Sequence, residues 1–165
     1  MKPKILIVDD HEIVREGIRN LLARSGKNWL VSGEASNASE AILAVKSLQP
    51  DLVILDVTMP GISGLEAARL IVKLHLAVRI LIFTMHESAT LEAEIRDAGA
   101  HGYVSKSQAA RDLVLAVQTL LSGGTFFGGP SEPSLSTPSP KKNPDNGITF
   151  FATCPFPRIR PLRTT

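Results

Sequence analysis

The stretch DLVILDVTMPGISGLEAARL, residues 51–70, holds the reading that decides the fold. Leu52, Val53, Ile54 and Leu55 form an unbroken apolar run, as a strand covered on both faces requires, and the run closes on the carboxylate of Asp56. A few residues on, Ser63-Gly64-Leu65-Glu66 spells a helix start. The serine hydroxyl can accept a free N–H of the first turn, and the glutamate three residues later can reach back. The helix is expected to run to about Leu74. A buried strand followed by a helix is the repeating unit of a parallel α/β sheet.

The same unit recurs on both sides. Upstream, Lys4–Val8 is a short apolar run ending in Asp9 and Asp10. From Glu12 to Arg24 the positions Ile13, Gly17, Ile18, Leu21 and Leu22 fall at helical spacing. Trp29–Gly33 reads as a second strand. Asn37-Ala38-Ser39-Glu40 caps a helix expected to bury Ala41, Ile42, Val45 and Leu48, and Pro50 stops it. Downstream, Arg79–Phe83 is a fourth strand ending at Thr84, and Ser88 can cap a helix that ends before Gly99. His101–Val104 gives a fifth strand, and a helix from Ser107 to about Ser122 is broken by Gly123-Gly124. Five such units joined by right-handed crossovers predict a doubly wound, flavodoxin-like α/β sheet of parallel strands in the order 2-1-3-4-5, with five helices.

Composition narrows the function. The 165 residues are enough for one domain with a buried core. With 44% hydrophobic and 21% charged residues the chain sits among globular proteins. No apolar run reaches the roughly 18–20 residues of a membrane span, and the first apolar run is too short for a signal-peptide core. A cytoplasmic location is therefore expected. Cys154 is the single cysteine, which excludes an internal disulfide and a cysteine-built zinc site. Residues 1–124 carry 13 Lys/Arg against 14 Asp/Glu, so the body has no broad basic footprint for nucleic acid. Residues 125–165 hold eight of the eleven prolines and carry five basic residues against two acidic ones. That segment is expected to be a disordered or extended tail with no second domain and no DNA-binding element.

Sites in doubly wound sheets form at the carboxyl ends of the strands. Those ends carry Asp9 and Asp10, Asp56, Thr84 and, after the fifth strand, Lys106. In the expected strand order these side chains converge on one pocket. Three carboxylates together repel one another unless a cation is present, and a hard divalent ion with oxygen ligands relieves this. Lys106 adds a fixed positive charge and Thr84 a hydroxyl donor. Such a pocket suits a phosphoryl group attacked by a carboxylate. Each residue alone has an ordinary explanation, as a turn former, a strand end or a surface lysine; the constellation carries the reading.

Residues 4–122 resemble the response-regulator receiver domains of bacterial two-component systems, through Ile5-Leu6-Ile7-Val8-Asp9-Asp10-His11, Asp51 to Gly61, Leu81-Ile82-Phe83-Thr84-Met85-His86, and Ala98 to Lys106. The Met59-to-Gly64 turn and Thr84-Met85-His86 further resemble the NarL/LuxR-type subfamily. The resemblance implies that Asp56 is the phosphoacceptor for a sensor histidine kinase. It implies that Asp10 and Asp56 ligate Mg²⁺ (or Mn²⁺) with the backbone carbonyl of Thr58, and that Asp9 acts mainly through water. Lys106 would contact the phosphoryl oxygens, Thr84 would turn its hydroxyl to them, and Tyr103 would turn inward as Thr84 moves. Thr58 and His86 would tune the lifetime of the phosphoryl group. An output partner and a homodimer, through the fourth helix or through helices one and five, are also implied.

Two departures stand out. Ser107 follows the lysine where many receivers have proline, and the helix-turn-helix usual in the subfamily is absent from this sequence. Either the chain is a stand-alone receiver acting through protein contacts, or its reading frame is truncated or altered after the fifth helix; the unusual tail favours the second. Other classes fare worse. An aspartyl-nucleophile phosphatase usually has a second acid two residues after the first, where Thr58 stands. A flavin carrier would have its cofactor phosphate repelled by Asp9-Asp10-His11-Glu12. A degenerate receiver serving as a phosphorylation-independent interaction module is the remaining alternative. His11 has no further support as a metal ligand or phosphohistidine.

Overall fold

A computed structural model of the chain describes residues 1–127. Five parallel strands pair in the order β2-β1-β3-β4-β5. They are β1 (Lys4–Val8), β2 (Leu30–Ala35), β3 (Leu52–Asp56), β4 (Arg79–Thr84) and β5 (Gly102–Ser105). The helices are α1 (Glu12–Arg24), α2 (Ala38–Leu48), α3 (Gly64–Val72), α4 (Ala89–Asp97) and α5 (Ala109–Leu121). The flavodoxin-like order expected from the strand–helix rhythm is the one observed.

Alternation along the central strands builds two cores. Leu6, Val8, Val53, Leu55, Ile80 and Ile82 face α2, α3 and α4, where they meet Ala41, Val45, Ala68, Ile71 and Ile95. Ile5, Ile7, Leu52, Ile54, Leu81 and Phe83 face the other way, onto Ile18 and Leu22 of α1 and Leu113, Val117 and Leu120 of α5. Both faces are covered, so the strands read as continuous apolar runs and not as alternating ones. Each fully buried Leu or Ile contributes about 1.5–3 kcal/mol, and these strands are what hold the pocket's walls in place.

Helix starts follow the caps read from the sequence. The side chains of Asn37, Ser63 and Ser88 accept the backbone N–H groups of Glu40, Glu66 and Leu91. Glu40 returns its carboxylate to the N–H and hydroxyl of Ser36, at 2.8 and 2.9 Å, one residue before the cap. Those hydrogen bonds hold its pKa below the usual glutamate value. Gln49 adopts φ 46 after α2, and Pro50 prevents continuation.

Several boundaries differ from expectation. β2 runs from Leu30 to Ala35, because its limits are set by pairing with Lys4 to Val8, with an irregularity opposite Ile5 and Leu6, and not by its own apolar residues. β5 is displaced by one residue, and Lys106–Gln108 forms a 3₁₀ turn before α5. α3 stops at Val72, short of Leu74. Ile13 is 75% exposed; at 100° per residue it lies about 140° from the Ile18–Leu22 stripe that α1 buries. Ile42 and Leu48 are half-buried beside the buried Ala41 and Val45.

α5 ends at Leu121, and Gly123 takes φ +90. The chain then returns to the sheet: Phe126 forms a parallel bridge with Gly102. The expected disorder of the tail from residue 128 onward, and its lack of a DNA-binding element, lie outside the described residues. Among the described residues no helix is long and apolar enough to cross a membrane.

Candidate functional site

The register of the sheet brings the strand ends level. Val8 pairs with Leu55, Asp56 with Phe83 and Thr84 with Ser105, so the residues just past β1 and at the ends of β3, β4 and β5 share one rim. Asp9, Asp56 and Thr84 are buried there. Lys106 enters from the 3₁₀ turn after β5. Its Nζ lies 2.7 Å from Asp9 Oδ2 and 3.1 Å from Asp56 Oδ1, and its side chain is 12% exposed. Asp9, Asp10, Asp56 and Lys106, all singled out by sequence, therefore come together at this rim, and Thr84 ends the strand next to Asp56.

The charges are unevenly satisfied. Asp9 Oδ1 accepts the His11 N–H at 2.9 Å and Asp9 Oδ2 accepts from Lys106. By contrast, Asp10 Oδ1 and Asp56 Oδ2 are buried without a hydrogen-bond partner among the described residues. His11 Nδ1 stands 2.9 Å from Asp10 Oδ1 without forming a hydrogen bond to it. Burial pushes the Asp56 carboxyl above its ordinary pKa; Lys106 pulls it down, and Asp9 pushes it up again. Burial pulls Lys106 the other way, but its two carboxylate partners outweigh that and raise it. The two directions agree physically, since Lys106 sees two anions while Asp56 shares one cation with a neighbouring anion.

The donor set suits a hard divalent cation. One oxygen or nitrogen from each of Asp9, Asp10, His11 and Asp56 lies within 4.8 Å of the others. The oxygens left free by Lys106 are carboxylate oxygens, the donors Mg²⁺ and Mn²⁺ favour. His11 is largely exposed and is brought beside this cluster by the turn into α1.

The surrounding residues behave differently from the central ones. Thr84 Oγ1 accepts the His86 backbone N–H at 3.1 Å, while the His86 residue itself is exposed. Thr58 is exposed in the loop after β3. Tyr103 is half-buried on β5, and burial together with Glu92 and Glu87 raises its hydroxyl pKa.

Two positioning features escaped the sequence reading. Arg15 on α1 donates to the Asp9 carbonyl at 2.8 Å and to Glu34 at 2.9 Å, fixing the loop that carries the acids. Gly64 at the start of α3 packs on the backbone of the acid itself: a Cβ there would collide with the Asp56 carbonyl and lie 2.8 Å from Val57 Cα. The pattern of a glycine directly after a capping serine was visible, but the strand it would touch was not.

Residues 5–118 match the family of response regulator receiver domains. Response regulator UvrY of Escherichia coli (strain K12) is 39% identical over 140 residues, 84% of this chain and 64% of that protein. The chain thus spans less than two thirds of that relative's length. A solved two-component response regulator of the LuxR family from Aurantimonas sp. SI85-9A1 is 42% identical, with a TM-score of 0.72 over 76% of this chain and 89% of that one. The isolated REC domain of RcsB from Salmonella enterica serovar Typhimurium, determined with the phosphomimetic BeF3⁻, is 27% identical with a TM-score of 0.71, over 78% of this chain and 94% of that one. A likeness that spans the whole sheet and its strand-end pocket, at this identity, means that the chain belongs to the response regulator receiver domain family.

Proposed function

We propose that this chain is a phosphorylation switch in which Asp56 accepts a phosphoryl group from a sensor histidine kinase. The observation that carries the reading is the buried Asp56 carboxylate beside Lys106, with one oxygen unpartnered. A carboxylate oxygen of Asp56 forms the new P–O bond. The P–N bond of the donor phosphohistidine breaks, and its electron pair returns to the imidazole, which can then take a proton. Lys106 holds position beside Asp56 and neutralises the incoming oxygens. Thr84 exchanges its bond from the His86 N–H for one to the phosphoryl group, and Tyr103 follows it inward. Asp10 and Asp56, with the Thr58 carbonyl, would hold Mg²⁺ or Mn²⁺, with Asp9 acting mainly through water; the ion would supply positive charge to the phosphoryl oxygens. Thr58 and His86 would tune the lifetime of the phosphoryl group by regulating water access.

The switch turns over no external substrate in this reading, and its output is a changed surface around α4 and β5 that a protein partner or a second copy recognises. A cytoplasmic site of action goes with a kinase donor. The signalling body occupies residues 1–124 in this reading, and Phe126 just beyond it bridges to Gly102. Intact-mass measurement after incubation with Mg²⁺ and acetyl phosphate tests the proposal. A single base-labile phosphoryl adduct, lost in Asp56→Asn, is expected; an adduct retained in that variant would refute the assignment of Asp56.

A further inference from the structure

We infer that residues 124–127 form a switchable sixth strand. It docks on β5 while Tyr103 faces Phe127 and is released when Tyr103 turns toward Thr84, so that phosphorylation is passed to the chain beyond residue 127. The inference rests on the roles of Asp56, Thr84 and Tyr103 proposed above.

The segment is bound as a strand and not merely laid against the surface. Phe126 donates its N–H to the His101 carbonyl at 3.0 Å, and its own carbonyl accepts the Tyr103 N–H at 2.8 Å. These two bonds straddle Gly102, as in a parallel ladder. The side chains alternate accordingly: Phe126 joins the core on the α1–α5 side, and Phe127 joins the one on the α2–α4 side. Gly102 is the seat. A Cβ there would collide with the Phe126 carbonyl oxygen and lie 2.9 and 3.0 Å from its carbonyl carbon and nitrogen.

What holds the strand is concentrated on the switch face. The Phe127 ring stands edge-on to Tyr103, with centroids 6.3 Å apart at 64°. The Arg96 guanidinium lies 3.6 Å over the same ring, and Arg96 is itself held by Glu92 of α4 at 2.8 Å. A single-rung strand of this kind has little to spare, which places it among the segments that open locally. Turning Tyr103 away removes one of its two ring contacts and leaves the other on α4, the helix next to the switch. Release would expose the Tyr103 N–H and the His101 carbonyl at the sheet edge.

Amide hydrogen exchange on the full chain, resolved by residue, tests this with and without Mg²⁺ and beryllofluoride as a phosphoryl mimic. Loading is read independently from the amide shifts of Asp9 and Asp56. In the free protein the Tyr103 and Phe126 amides should be protected. On loading they should exchange about fivefold faster, the factor that goes with losing an aromatic pair of ordinary strength, and Asp56→Asn should show no change. Gly102→Ala should make both amides exchange fast in either state while loading is kept; Phe127→Ala serves the same purpose should the first variant misfold. A loaded protein whose two amides are unchanged or slowed overturns the latch and leaves the receiver reading standing. A folded protein that does not load removes both.

Discussion

Replacing Lys106 with methionine takes away the cation that Asp9 and Asp56 share, and that stands 5.7 Å from the centre of the Phe83 ring, while keeping an unbranched apolar side chain in its place. Its ammonium is 2.7 and 3.1 Å from the two carboxylates. At an effective dielectric constant near 20, each contact is worth about 5–6 kcal/mol before desolvation is subtracted. The variant has a cheaper way out than keeping two unpaired buried anions: the carboxylates can share a proton. Taking that proton up costs about 1.4 kcal/mol for each pH unit above the ordinary Asp value of 3.8. The loss of stability should therefore be about 4 kcal/mol at pH 7 and under about 2 kcal/mol at pH 5. Urea denaturation followed by circular dichroism, in EDTA at both pH values, measures it. Mg²⁺ should recover part of the loss at pH 7, by supplying positive charge to the same oxygens. Equal losses at pH 5 and pH 7 would show that Lys106 acts by packing and would refute the charge argument.

Two further perturbations bear on the same pocket. The Asp56 pKa is raised mainly by burial, so the folded state holds this proton more tightly than the unfolded chain does, and ionised Asp56 costs stability at every pH above 3.8. Asp56→Asn should therefore be more stable than the parent in EDTA at pH 7, by about 1 kcal/mol, and should lose most of its stabilisation by Mg²⁺; a less stable variant in denaturant titrations would contradict the sign. Gly64→Ala should lose about 1–3 kcal/mol, because its Cβ meets the backbone of Asp56 and Val57 and α3 must move. Phosphorylation by acetyl phosphate should slow with it, whereas an unchanged rate and melting temperature would mean that the contact relaxes freely.

Most of the sheet was legible because of how it is buried. β1, β3 and β4 are covered on both faces, so their apolar runs are unbroken and end at polar site residues, carboxylates after β1 and on β3 and a threonine on β4. Asn37, Ser63 and Ser88 announced their helices through local hydrogen bonds that need no tertiary information. From strand order alone, Asp9, Asp10, Asp56, Thr84 and Lys106 could be placed on one rim; the registers bring those strand ends level, and the contacts of Lys106 and the three acids lie there. Where the controlling contact is distant in sequence, the reading failed or was silent. β2 is an edge strand whose limits come from its partner. The hold of Arg15 on the Asp9 loop depends on Glu34 across the sheet. The return of Phe126 to Gly102 is a single rung, and a two-phenylalanine run after a pair of glycines carries no periodicity by which to find it.

If Asp56 is phosphorylated as proposed, the pocket gives a reason for the surface near α4 to move and the sheet to stay. A ligand shifts an equilibrium only by the difference in its affinity for the two states. Oxygens already satisfied in the resting state would offer a phosphoryl group and its cation little to gain. Asp10 Oδ1 and Asp56 Oδ2 are instead buried and unpartnered, so neutralising them yields free energy that the resting state lacks. The strands that carry these acids cannot absorb it, since Leu6, Ile54, Leu81 and their neighbours are fully buried between two helical layers. α3 and α5 are likewise anchored by five buried residues each, whereas α4 has Ile95 alone. In the switch proposed above, a shift of Thr84 between a rigid rim and a weakly anchored helix would be taken up where fewest contacts must break. That place is α4 and the ring cluster of Arg96, Tyr103 and Phe127 packed beside it.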